Sequence, residues 1–120
     1  KAKNKEKDLS DLILSTVRNY LSYVTSINSY RRHRITIQGV PCPNIETGNY
    51  SKDEIATLVG MIKEFNVELE NQSANMGFDF LDLHKLTDRG DGFSNGRWHI
   101  DSFHISPAGM QEAWLTHVDR

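Results

Sequence analysis

Two short strand-like runs separated by one long helical stripe constrain this chain more than any other feature. "RITIQGV", residues 34–40, alternates β-branched with polar side chains and stops at Gly39 and Pro41, as a strand meeting a turn does. "FDFLDL", residues 78–83, has the length of a strand and an apolar bias, which implies burial on at least one face. Between them, Ser51 followed three residues on by Glu54 reads as a capping box, and Ile55, Leu58, Val59, Ile62, Phe65 and Leu69 form one apolar stripe. A helix is therefore expected from about Ser51 to Asn75. Strand, crossover helix, strand predicts a right-handed parallel unit of an α/β fold.

The flanks add helices and loops. Leu9, Leu12, Ile13, Val17, Tyr20, Leu21, Val24, Ile27 and Tyr30 recur at spacings of three and four, the mark of a long amphipathic helix from Leu9 to Tyr30. "PCPNIETGNY", residues 41–50, reads as loop, and "TDRGDGFSNGRW", residues 87–98, as a surface loop. Ser106-Pro107 reads as an N-cap with proline in the first helical position, opening a last helix whose buried side is expected to be Met110, Ala113, Trp114 and Val118. Two parallel strands alone are a poor nucleus for a core, and the first helix has no strand ahead of it. The expectation is one domain, of which residues 1–120 are the C-terminal part, with its first strands upstream of Lys1 or on another polypeptide. A start at Lys1 in place of Met fits that expectation.

Charge and cysteine content exclude several partners. With 14 Lys+Arg against 16 Asp+Glu, scattered along the chain, there is no stripe for nucleic acid. The basic cluster Arg31, Arg32, His33 and Arg34 reads as a solvated helix end that offsets the helix dipole, or else as an anion contact. Cys42 is the single cysteine, so an internal disulfide and a paired-cysteine zinc site are ruled out, and a reducing, cytoplasmic setting is expected. No apolar run approaches the roughly 18 residues of a membrane span, and "KAKNKEKD" is charged where a signal peptide would be apolar.

The chemistry concentrates in "HIDSFHIS", residues 99–106. Asp101 and His104, separated by two residues, can fold a carboxylate onto an imidazole, so that Asp101 accepts from Nδ1 and leaves Nε2 free as a base. The positive end of the following helix disfavours the imidazolium while Asp101 favours it. A metal reading uses His99, Asp101 and His104, with no fourth ligand signalled. His84, His33 and His117 show no convergence in sequence and read as solvated or hydrogen-bonded. Trp98 and Phe103 flank the pair and either line a pocket or pack the core. Arg97 reads as an anion contact or a surface residue.

"DSFHISPAGMQEAW" resembles the closing block of the SGNH (GDSL-type) hydrolases, a family of serine esterases and acyl hydrolases in which Asp-x-x-His precedes a Ser/Pro, a small residue, a glycine and a helix. Asp101 and His104 match that block, and Gly109 fits its glycine. "RITIQGVPCPN" is similar to a strand that opens into a Gly-Val-Pro loop, and "FDFLDL" to the final strand leading to the catalytic pair. The resemblance implies a three-layer α/β/α sandwich with a parallel sheet, of which this chain supplies about two strands and three helices. It also implies an ester substrate, of small acyl groups, lipid or carbohydrate, and no cofactor. Asp101 and His104 would be two members of a triad. The family's Gly-Asp-Ser nucleophile block and its oxyanion glycine and asparagine have no counterpart in these residues. "GDGFS", residues 90–94, places Ser94 after Phe93 and not after Asp91, and Ser102 lies within the Asp-His spacing. Three readings follow: an esterase whose serine lies upstream, a non-catalytic binding or assembly module of the same fold, and a metal-dependent hydrolase.

Overall fold

The computed structural model describes residues 2–29 and 33–118. Tyr30, Arg31 and Arg32, the end of the expected first helix and half of the basic cluster, lie outside the described residues. Helix α1 spans Ala2–Asn28, strand β1 Thr36–Gln38, helix α2 Lys52–Asn75, strand β2 Asp79–Leu81, helix α3 Leu83–Thr87 and helix α4 Pro107–Val118, with a 3-10 turn at Thr47–Asn49. The chain is mixed α/β, and β1 and β2 pair in parallel with Ile37 opposite Phe80. The N–H of Asp79 donating to the Ile35 carbonyl, and that of Gly39 to the Leu81 carbonyl, extend the ladder at both ends.

Helix α1 buries Ile13, Val17, Leu21 and Val24, whose spacings of four, four and three keep them on one face. They meet Ile37 of β1 and Leu69 of α2, with Phe65, Phe78 and Phe80 at the margin. Leu12, Tyr20 and Ile27, expected in the same stripe, are exposed, because the contact with β1 and α2 buries a narrower arc than the apolar positions of the helix cover. The helix also starts seven residues earlier than its stripe, in the charged run. Ala, Lys and Glu there are strong helix formers that need no apolar neighbour.

The capping box forms as expected. Ser51 Oγ accepts from the Glu54 N–H at 3.1 Å and Glu54 Oε1 from the Ser51 N–H at 2.8 Å. Further along α2, Asn66 Oδ1 accepts from the Val40 N–H at 2.7 Å and its Nδ2 donates to the Val40 carbonyl at 2.9 Å. This pins the chain where it leaves β1. A Cβ at Gly39 would lie 2.7 Å from Phe80 Cζ and 2.9 Å from Asn66 Oδ1, so a glycine is needed for that close approach.

A second cluster of Leu81, Leu83 and Ala113, edged by Leu86, Ile105 and Met110, joins β2 to α3 and α4. Phe80 and Leu81 are neighbours on one strand and so point to opposite faces. Helices α1 and α2 thus meet one side of the strand and α4 the other. On α4 the buried positions are Gly109 and Ala113, while Trp114 and Val118 are exposed, against expectation. They sit about 100° and 140° round the helix from Ala113, away from β2. Helix α3 begins at Leu83, the last residue of the segment read as strand, and ends at Thr87, the first residue of the segment read as loop. It is capped by Asp82, whose carboxylate accepts from the Lys85 N–H at 2.9 Å. Among the described residues no helix is long and apolar enough to cross a membrane.

Candidate functional site

The loop after α3 is less superficial than its composition suggests. Gly90, Gly92 and Gly96 have φ of 125°, 89° and 73°, the left-handed region that glycine enters without penalty. Asp88 Oδ1 accepts from the N–H groups of Gly90 and Gly92 at 2.8 and 3.0 Å. Burial works against its charge, but these two donors outweigh it and hold the carboxyl below the usual range. The loop returns Phe93 and Ser94 to the interior, 3% and 6% exposed. An apolar anchor was concealed among turn residues.

From Trp98 to Ser106 the chain forms a small antiparallel hairpin. His99 bridges Ile105, the Ile100 N–H donates to the His104 carbonyl at 3.0 Å, and the Ser106 N–H to the Trp98 carbonyl at 2.7 Å. Its tip is organised by Asp101. Oδ1 accepts from the N–H of Phe103 at 2.8 Å and of His104 at 2.7 Å, while Oδ2 lies 2.8 Å from His104 Nδ1. The carboxylate therefore serves both the turn and the ring, and Nε2 is left as the outward nitrogen. The Phe103 and His104 amides, then the ring, hold the Asp101 carboxyl below the usual carboxylate range. The pair is solvent-facing, with side chains 75% exposed for His104 and 53% for Asp101.

Other elements hold this tip in place. The Asn44 N–H, from the loop after β1, donates to the Ser102 carbonyl at 2.8 Å, and Asn44 Nδ2 reaches the Asp101 carbonyl at 3.3 Å. The same loop is fixed by the Cys42 N–H donating to Thr87 Oγ1 at 2.9 Å and by Pro43, whose carbonyl accepts from the Ser94 N–H at 3.0 Å. From below, Ser106 caps α4 by accepting the Gly109 N–H at 3.1 Å. A Cβ at Gly109 would lie 2.5 Å from Ile105 Cγ2 and 2.9 Å from Trp98 Cβ. Alanine in a helix normally gains up to about 1 kcal/mol over glycine. At Gly109 the sign reverses: Gly109→Ala is expected to lose about 1–3 kcal/mol through overpacking, measured by urea unfolding.

The structure separates the three residues of the metal reading. Asp101 and His104 face each other, but His99 turns inward, with Nδ1 2.8 Å from Ser94 Oγ, and its ring does not converge with theirs. An extended 99–101 segment would have aligned His99 with Asp101, and the hairpin turn at the tip removes that alignment. Ser94 is engaged with His99, and Ser102 lends only its backbone to Asn44. Arg97 lies over the Trp98 ring at 5.0 Å, and Phe103, 60% exposed, stands beside the Asp-His pair. Arg34, of the basic cluster, pairs with Asp79 at 2.7 Å on the surface.

Burial pushes the His99 imidazole down, against a weaker opposing pull from the Cys42 carbonyl and Asp101. Nε2 itself has no hydrogen-bond partner among the described residues. A histidine whose folded pKa is lowered contributes its full stability above the ordinary imidazole pKa of about 6.5. That contribution is lost as pH falls below this value, because the unfolded chain takes the proton first. The melting temperature is expected to drop between about pH 7 and pH 5, and His99→Gln to flatten that slope in a calorimetric pH series.

Sequence reasoning missed one group altogether. Cys42, His84 and Asp88 bring one donor atom each to within 4.8 Å of one another, where His84 had been expected to be solvated or hydrogen-bonded on its own. Burial, first of all, pushes the Cys42 thiol up to about 11, so it is no thiolate nucleophile at neutral pH. No protein-family model matches the chain, and neither a curated protein nor a solved structure matches it.

Proposed function

We propose that this chain is the C-terminal part of an SGNH-type serine acyl hydrolase and supplies the aspartate and histidine of its triad. One observation carries the reading: a carboxylate fixed by two backbone amides meets Nδ1 of His104 on a side chain that is 75% exposed, leaving Nε2 uncommitted among the described residues. In this mechanism Nε2 takes the proton of a serine hydroxyl as its oxygen attacks the ester carbonyl, and Asp101 stabilises the imidazolium that forms. The tetrahedral intermediate collapses with transfer of that proton to the leaving alcohol, and water repeats the cycle on the acyl-serine. Serine and oxyanion donors come from the upstream part of the same domain.

A three-layer α/β/α sandwich accommodates that upstream part. Among the described residues β1 pairs along one edge alone, and Leu12, Tyr20, Tyr23 and Ile27 form an exposed apolar line on α1. Further parallel strands and their helices would cover both. Phe103 and Ile100, exposed beside the pair, suit the acyl or carbohydrate portion of an ester. The second reading, a non-catalytic module, draws on the lack of a Gly-Asp-Ser block in these 120 residues.

Treatment of the full-length gene product with a fluorophosphonate, followed by mass-spectrometric mapping, separates the two. The expected result is one adduct on a serine outside residues 1–120. A folded full-length protein that takes no label would overturn the hydrolase reading in favour of the module.

A further inference from the structure

We propose that Cys42, His84 and Asp88 form a binding site for a soft divalent cation of the zinc type, separate from the Asp101–His104 pair. The inference stands apart from the hydrolase reading, since its test reads no activity. The three residues come from two places, the loop after β1 and the α3 segment. His84 and Asp88 are four apart on α3 and its C-cap, hence on one face, and Cys42 lies across from them. A thiol, an imidazole and a carboxylate are the zinc donor set.

The geometry is close to a ligand shell. A tetrahedral ion with a sulfur at about 2.3 Å and a nitrogen at about 2.0 Å spaces its donors roughly 3.3–3.6 Å apart. Donor atoms already within 4.8 Å would have to close by about 1 Å to reach that spacing. Their supports are in place. The Cys42 N–H is held by Thr87 Oγ1, and Asp88 is oriented through Oδ1 by Gly90 and Gly92, which leaves Oδ2 for a metal. His84 Nε2 is buried and has no hydrogen-bond partner among the described residues, an arrangement proteins avoid unless something else occupies the nitrogen. Asp82 and Asp88 lie on the same side as the Cys42 sulfur, with Lys63 near Asp88, while Asp91 is already paired with Arg89 at 2.9 Å. Binding would displace the thiol proton to solvent. The ion would tie the loop after β1, and with it Asn44, to α3 and the glycine-rich loop beneath the hairpin.

Co2+ titration of the full chain tests this, because cobalt in a thiolate site gives a near-ultraviolet charge-transfer band as well as tetrahedral visible bands. The expected result is a saturable 1:1 spectrum that Zn2+ abolishes stoichiometrically. Cys42→Ser should lose the charge-transfer band, His84→Gln should weaken binding about 100-fold or more, and His117→Gln should leave it unchanged. Asp88→Asn, which keeps the Oδ1 contacts to Gly90 and Gly92, supplies a folded weak-binding variant should Cys42→Ser fold poorly; circular dichroism checks each. A folded chain with no saturable cobalt spectrum, or one whose spectrum survives in the Asp88 and His84 variants, would overturn the site.

Discussion

Under the proposed hydrolase function, Asp101→Asn is expected to lower ester hydrolysis by the full-length protein about 10⁴-fold, with little change in KM. Asparagine retains an oxygen that can accept from the Phe103 and His104 amides, the two bonds that shape the hairpin tip. The tip therefore keeps its fold. Where Oδ2 now faces Nδ1 at 2.8 Å, an amide NH2 donates instead, so Nδ1 becomes an acceptor and the ring proton moves to Nε2. The base is then blocked. His104→Ala should cost about as much, and the double variant hardly more, because the two residues act as one unit. A merely structural role for Asp101 predicts the opposite pattern: a lowered melting temperature and a modest, additive loss of rate. Steady-state kinetics on an activated ester, with unfolding curves alongside, distinguishes them.

Leu81→Ala should be the most damaging of the core substitutions near the site, at about 2–5 kcal/mol. Leu81 is 1% exposed and packs with Leu83 and Ala113, at the point where β2, α3 and α4 meet. Its removal leaves a cavity that Met110 can fill only in part. Small domains have about 5–15 kcal/mol to lose, so this is a large fraction. In urea the midpoint should fall with the slope unchanged. Val118→Ala, at a position 74% exposed and away from the α1 face, should stay within about 0.5 kcal/mol in the same chain.

What could be read from the sequence divides by the range of the interactions. The Asp101–His104 contact spans three residues and depends on local turn chemistry, so its geometry follows from the spacing. The capping box at Ser51 and the N-cap at Ser106 are local in the same sense. Strand order and parallel pairing also followed, because a crossover helix between two strand-like runs permits few arrangements. Burial followed less well. Tyr20, Ile27, Trp114 and Val118 fit their helical stripes and are exposed, since a stripe shows which face is apolar and not how much of it finds a partner. Helix α3 is too short for periodicity, and the alternation of "FDFLDL" drew its cap, Asp82, into the strand. The meeting of Cys42 with His84 and Asp88 was the least legible feature. Only the spacing of four between the last two is visible along the chain, and the 42 residues to the cysteine are closed by tertiary packing.

The central claim is that Asp101 holds the His104 ring with its proton on Nδ1 and its lone pair on Nε2. Long-range proton–nitrogen NMR on the nitrogen-labelled chain, in alkaline solution where imidazoles are neutral, reports that tautomer directly. A protonated Nδ1 with a pyridine-like Nε2, reversing in Asp101→Asn, is the expected result. A proton on Nε2 in the unaltered chain would contradict the account, because that nitrogen could not then accept a proton from a serine.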